Sequence, residues 1–366
     1  MPGPVKRWVE GARPKTLPAA LVPVLVGASL AATAPIHGWW VAYAPLSGAT
    51  TVPTTTLGLR FPDWLQSEFT HLNWIRLLLT AIVALSLQIG VNYANDYSDG
   101  IKGTDADRVG PLRLVGSGLV PAATVKRAAL LCFAIAAVAG LVLAAATSWW
   151  LIAIGAAAIL SAWGYTGGPK PYGYLGLGEL FVFIFFGLVA TLGTVYIQIG
   201  TIPGHAWLAA TAVGFASVAL LEANNIRDVT GDTAAGKKTL AVRLGRARSS
   251  WLYLGAEAMV ALGIIATAVW SGTLSHATRI VISPNFTPCT GKGCVDAMVN
   301  AVPQQSWWPL LGLLGLVGLR KVVGLVRSPA EGRALLPLLG ATGKAQLRTG
   351  LLFSLGIVLT AAHWPY

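Results

Sequence analysis

Nine times the chain runs for about twenty residues almost without charge, and that repetition leaves few folds open. The runs span 17–34, 74–94, 127–146, 148–165, 179–199, 205–223, 250–271, 307–326 and 345–364. A bilayer core about 30 Å thick takes about 20 apolar helical residues per crossing. Inside lipid each backbone N–H and C=O must find a partner within the protein, which selects helices or closed barrels. Runs of this length select helices. Only 11% of the residues are charged, against roughly a quarter in soluble domains. The sequence therefore predicts an all-α integral membrane protein with nine transmembrane helices in one domain, residues 1–366. Two long connections, about 35–73 and 272–306, read as insertions on the outer face.

Charge sets the threading. Lys and Arg concentrate on the cytoplasmic side of membrane proteins. With a cytoplasmic N-terminus and an outer C-terminus, all 26 Lys and Arg except Arg60, Arg76, Arg279 and Lys292 fall inside. The net charge of +12 follows from this sorting and needs no nucleic acid. Such a chain is expected in the cell membrane, with its polar chemistry toward the cytoplasm. Cys289 and Cys294, in the outer insertion, are spaced for a disulfide in an oxidising compartment.

The acids are sparse and gathered. "NYANDYSDG" (92–100) closes the second apolar run and "EANNIRDVTGD" (222–232) closes the sixth. Asn92, Asp96 and Asp99 share one helical face, as do Asn225, Asp228 and Asp232. Stacked carboxylates repel, resist burial and oppose the dipole at a helix C-terminus. Two solvated helix ends would be the plain reading, but two Asn-led stripes in a chain this poor in acids call for a positive partner. Hard oxygen donors suit Mg²⁺, which takes one or two carboxylates together with substrate phosphates. Lys102, Arg108, Arg113, Lys170 and Arg227 lie on the same face and supply cations for a diphosphate. Arg113 and Lys170 stand in Gly- and Pro-rich loops able to fold over a ligand. "DADRVG" opens like a calcium loop, yet Gly116 stands where the closing Glu belongs.

Together these motifs, with "YTGGPKPYGYLGLGE" (165–179), resemble the UbiA superfamily of intramembrane prenyltransferases. The segments 91–118 and 8–24 are most similar to its actinobacterial branch acting on 1,4-dihydroxy-2-naphthoate in menaquinone synthesis. The resemblance implies a helical bundle around a central cavity open to lipid. It implies that Asp96, Asp99, Asp228 and Asp232 hold Mg²⁺, with Mn²⁺ able to substitute, on the diphosphate of a polyprenyl donor. Asn92 and Asn225 would assist, Lys170 and Arg113 would contact phosphate, and Tyr165 would line the reacting carbon. The implied reaction moves the polyprenyl group to 1,4-dihydroxy-2-naphthoate, releasing diphosphate and CO₂ and giving demethylmenaquinone. One departure is Gly103, where the family often carries a further Asp; Asp105 and Asp107 follow instead. Sister enzymes using 4-hydroxybenzoate, haem or a sugar diphosphate stay open, as does a cation transporter, since intramembrane acids also mark ion routes.

Overall fold

Proline and charge decide how the chain enters the bundle. "PVKRWVEG" forms α1 (Pro4–Gly11), with Pro4 at its first position and Val5 and Val9 exposed. Arg13 then takes a left-handed backbone (φ 55°), and Pro14–Thr16 makes a 3₁₀ turn. The helical axis bends by 54° into α2 (Pro18–Ala32). The computed structural model describes residues 3–33, 72–103, 112–274, 279–280, 299–300, 307–328, 330 and 332–361. Cys289, Cys294, Asp105, Asp107 and Arg108 lie outside the described residues, as does nearly all of both expected insertions.

The helices sit where the apolar runs predict them. They are α3 (Trp74–Ile101), α4 (Ala122–Ala146), α5 (Trp150–Gly164), α6 (Gly178–Ile199), α7 (Gly204–Ala234) and α8 (Leu240–Leu274, kinked at Gly245). A 3₁₀ helix (Trp308–Leu319), α9 (Arg320–Arg327) and α10 (Leu336–Ala361) follow. A two-residue antiparallel pair, Arg279–Ile280 with Val299–Asn300, is the sheet among the described residues. Among the described residues, five helices can cross a membrane by length and composition, or six if α1 and α2 count as one bent span. α5 and the 3₁₀ helix are apolar but shorter. The protein is thus a multi-pass helical membrane protein. α10 begins before the expected 345, because Leu335, Leu338 and Leu339 are buried against neighbouring helices and keep that stretch helical.

Val26 and Leu30 of α2 meet Val195 of α6, Ala209 of α7, Ile264 of α8 and Phe353 of α10 in the main core. α6 carries a π-helical stretch, Phe183–Val189, where it crosses α7. The approach there is close: a Cβ on Gly187 would stand 2.3 Å from the Gly214 Cα. Arg76, a basic residue on the expected outer side, caps two helix ends. Its Nη1 donates to the Ile197 carbonyl and its Nη2 to the Ala146 carbonyl, both at 3.1 Å. A cation at two helix C-termini satisfies orphan carbonyls and their dipoles, so Arg76 escapes the charge sorting for a structural reason.

Candidate active site

α3 and α7 both continue past the expected ends of their apolar runs, and this extension carries the two acidic stripes. Asp96 and Asp99 are buried on α3, and Asp228 and Asp232 on α7. The stripes have different partners. Asp96 turns inward to brace the loop after α3: its Oδ2 accepts the Leu114 N–H at 2.7 Å and its Oδ1 the Val115 N–H at 3.1 Å. That brace brings Arg113, also buried, to 3.6 Å from Asp99 Oδ2. Tyr174 donates its hydroxyl to Asp99 Oδ1.

On α7 the partner lies next door in sequence. Arg227 donates to both oxygens of Asp228 at 2.7 Å and to Asn224 Oδ1 at 2.6 Å. Asn225 donates to Glu179 Oε1 at 2.9 Å. Beyond the helix end, Gly236 adopts φ 71°, and the Lys237 N–H closes on the Asp232 carbonyl at 2.9 Å. This turn folds Lys237 back over the stripe. Its ammonium stands 3.8 Å from Asp232 Oδ1 and 3.2 Å from Asp99 Oδ2. One buried cation therefore joins the two stripes.

A cavity of about 850 Å³ ends on this cluster. Arg13, Asn92, Asn95, Arg113, Asn224 and Arg227 line its polar end. The four aspartates stand behind that surface, and Tyr165, Tyr172, Phe181 and Phe185 continue the wall. Tyr172 stacks on Phe181 at 4.0 Å between ring centroids. Burial pushes the Tyr172 phenol well above its ordinary range, so the ring is a neutral π surface. Tyr174 does not line the cavity and is held on Asp99 instead.

The other expected ligands divide. Asn92 lines the cavity but spends its amide on the N-terminal bend, donating to the Ala12 carbonyl at 2.9 Å and Thr16 Oγ1 at 3.2 Å. Lys102 donates to the Thr166 carbonyl at 2.7 Å and lies 5.0 Å over the Tyr174 ring. Desolvation lowers the Lys102 ammonium below its usual value, with Asp99 acting upward and Lys237 downward. Lys170 is exposed on its loop and does not line the cavity. Lys237 and Arg13 were missed in the sequence. The "KK" after the second stripe was the available signal for Lys237.

Among the described residues no three His, Cys, Asp or Glu side chains gather into a ready metal cage. The donor set nevertheless fits Mg²⁺. It is all hard oxygen, it comes from two facing stripes, and one ammonium already reaches Asp99 and Asp232 together.

A model of the UbiA prenyltransferase family matches residues 51–284. The 1,4-dihydroxy-2-naphthoate octaprenyltransferase of Mycobacterium tuberculosis is 41% identical over 341 residues, covering 93% of both chains. The Escherichia coli protein of that name is 32% identical over 360 residues, covering 96% of this chain and 95% of its own. Among solved structures, a UbiA homologue from Archaeoglobus fulgidus bound to GPP and Mg²⁺ has a TM-score of 0.56 at 11% identity, covering 95% of this chain and 99% of its own. The apo UbiA homologue from Aeropyrum pernix K1 has a TM-score of 0.55 at 15% identity, covering 93% and 96%. At those identities the structural likeness concerns the fold.

Proposed function

The chain belongs to the UbiA prenyltransferase family, and from that premise we propose that it transfers a polyprenyl group from a polyprenyl diphosphate to 1,4-dihydroxy-2-naphthoate. The observation that carries this reading is the join between an apolar cavity and a buried cluster of cations backed by aspartates. An isoprenoid tail wants the first and a diphosphate wants the second. Each CH₂ taken from lipid into water would cost about 0.8 kcal/mol, so a site within the membrane spares the tail that transfer.

Breaking the C–O bond of the donor leaves its electron pair, and a growing negative charge, on the diphosphate. Arg113 and Arg227 present guanidinium groups at the polar end of the cavity, each aimed by an aspartate behind it. Fixed cations that meet charge as it develops stabilise the transition state more than the ground state. Asp96 contributes at one remove, because it holds the loop that carries Arg113. Mg²⁺, or Mn²⁺ in its place, held by Asp96, Asp99, Asp228 and Asp232, would supply further neutralisation of the diphosphate. The allylic cation left behind faces the Tyr165 and Tyr172 rings, whose π faces attract positive charge in a dry site. Attack by the electron-rich naphthoate ring forms the new C–C bond; the alkylated carbon gives up its proton, the carboxylate leaves as CO₂, and the carbon it leaves takes up a proton, so aromaticity is restored with no net change in protons. No oxidant is consumed in that sequence, so the product leaves as the quinol of demethylmenaquinone.

The proposal includes nine crossings, one domain over residues 1–366, a cytoplasmic N-terminus and a plasma-membrane location with the site toward the cytoplasm. Its support is the sorting of Lys and Arg together with the two short apolar helices and α10, which bring the six to nine. Membranes containing the protein, given labelled polyprenyl diphosphate and a panel of acceptors, test the activity. Label is expected on 1,4-dihydroxy-2-naphthoate with release of CO₂. Transfer to 4-hydroxybenzoate instead would assign a sister activity, and flux of cations across liposomes without prenyl donor would favour a transporter.

A further inference from the structure

The glycines of the bundle fall into two kinds. At Gly27, Gly90 and Gly187 an added Cβ would lie 2.6, 2.7 and 2.3 Å from a neighbouring atom, so these glycines serve close helix packing. At Gly140 in α4, Gly155 in α5 and Gly193 in α6 an added Cβ would meet nothing within 4 Å. All three line the cavity, each from a different helix. A helix-interior glycine costs about 1 kcal/mol relative to alanine, and no close contact requires it at these positions. What the three glycines leave is room.

That room is remote from the polar end. On α3 both Thr80 and Asn92 line the cavity, and twelve residues of helix at 1.5 Å each place them about 18 Å apart. Gly193 lies the same number of residues along α6 from Phe181, which belongs to the aromatic wall, and Gly140 and Gly155 flank the α4–α5 connection at that far end. A donor seated with its diphosphate against Arg113 and Arg227 would run its tail past the aromatic rings and then along these glycines.

Resting on the prenyl-transfer reading, we infer that Gly140, Gly155 and Gly193 determine which polyprenyl chain lengths the enzyme accepts, by keeping open the space for the distal isoprene units. Side chains placed there would fill the path without touching the cations or the aspartates. Because an added Cβ meets nothing within 4 Å at these positions, the substituted helices are expected to fold.

Gly193→Leu and Gly155→Leu, each beside its alanine counterpart, test this with geranyl, geranylgeranyl and octaprenyl diphosphates. The ratio of kcat/KM for octaprenyl over geranyl donor is expected to fall at least about tenfold in the leucine variants. In the alanine variants it should move much less. An unchanged ratio, with all donors affected alike or none affected, overturns the inference. A second measurement is independent of turnover: thermal stabilisation of the detergent-solubilised protein by each diphosphate with Mg²⁺ present. Octaprenyl diphosphate should stabilise the unsubstituted protein more than geranyl diphosphate does, and Gly193→Leu should erase that excess. Equal stabilisation by both donors, or an excess that survives the substitution, overturns the inference even if no acceptor is ever prenylated. Failure of every acceptor with this excess intact would instead strike the proposed reaction alone.

Discussion

The two aspartate stripes look interchangeable in sequence and are not interchangeable in space. The α3 stripe is tied to distant parts of the chain: Asp96 to the backbone of 114–115, and Asp99 to Arg113, Tyr174 and Lys237. The α7 stripe is tied locally, with Asp228 paired to the adjacent Arg227 and Asp232 to the turn that ends its own helix. Spacings of three and four, in either order, place the same ligands on one helix face. They do not fix what else each ligand must hold. In the proposed function the first stripe would carry structure as well as chemistry, because Asp96 holds the loop at 114–115, while the second is paired with cations of its own helix and of the turn beyond it. The buried charge, which in sequence seemed to demand a divalent ion, is also offset by Arg113, Arg227 and Lys237.

The sharpest test of shared chemistry is to remove it from both stripes. Exhaustive chelation with EDTA is expected to abolish transfer, and Mg²⁺ to restore it; turnover that survives chelation would break the metal assignment. Asp99→Ala and Asp228→Ala should each lower kcat by roughly a hundred- to a thousandfold, the scale of losing an electrostatic stabiliser. Both proteins should remain in the membrane at normal abundance. A deep loss in one stripe and none in the other would end the idea that they act together.

Stability should then separate the pair. Asp96→Ala leaves the buried Leu114 N–H and the half-buried Val115 N–H without their acceptor, and an orphaned buried group costs about 1–3 kcal/mol. Thermal unfolding should drop accordingly, with faster proteolysis within 112–120. Asp232→Ala breaks the long ion pair to Lys237 at 3.8 Å, a weaker contact than the two hydrogen bonds of Asp96, and should shift unfolding less. Equal losses would erase the distinction between a structural and a local stripe.

Much of the helical layout was legible because lipid enforces it: length and apolarity act on each segment alone. The stripes were legible because residues three and four apart must share a helix face. Contacts between segments were not. Nothing in "VGPLRLVGSG" announces that Asp96 will seize the backbone of Leu114, since a backbone donor carries no residue identity. Lys237 resembles any basic residue past a helix end until the left-handed Gly236 turns it inward. Lys170 was singled out by the company of Gly and Pro, yet the same flexible loop leaves it in solvent. The start of α10 was missed because Leu335 and Leu338 are kept helical by neighbours, not by a long apolar run.

Lys237→Met tests the join between the stripes. Methionine keeps the bulk of the side chain and removes the charge that touches Asp99 and Asp232 together. Activity should fall by about tenfold, the worth of one charge-assisted contact of about 1.5–3 kcal/mol partly relieved by the other cations. The apparent affinity for Mg²⁺ should rise in the same variant, because two carboxylates lose the ammonium that competes for them. An unchanged Mg²⁺ requirement would mean that Lys237 and the metal do not contend for one place.

The smallest effect is expected at Tyr174, and its direction discriminates between two roles of one ring. The hydroxyl donates to Asp99, while the ring faces the ammonium groups of Lys102 and Lys237, each 5.0 Å from its centroid. Tyr174→Phe removes the donor and keeps the face, so transfer should fall only a few-fold, the scale of one hydrogen bond worth about 0.5–1.5 kcal/mol. Tyr174→Leu removes both and should fall further, because a cation–π contact adds about 0.5–1 kcal/mol where exposed, as at Lys102, and more where buried, as at Lys237. If the two substitutions cost the same in kcat/KM, the ring does not help to position the lysines, and Asp99 alone accounts for the conformation of this residue. If Phe costs nothing while Leu does, the bond to Asp99 is incidental and the first stripe is held by Arg113 and Lys237.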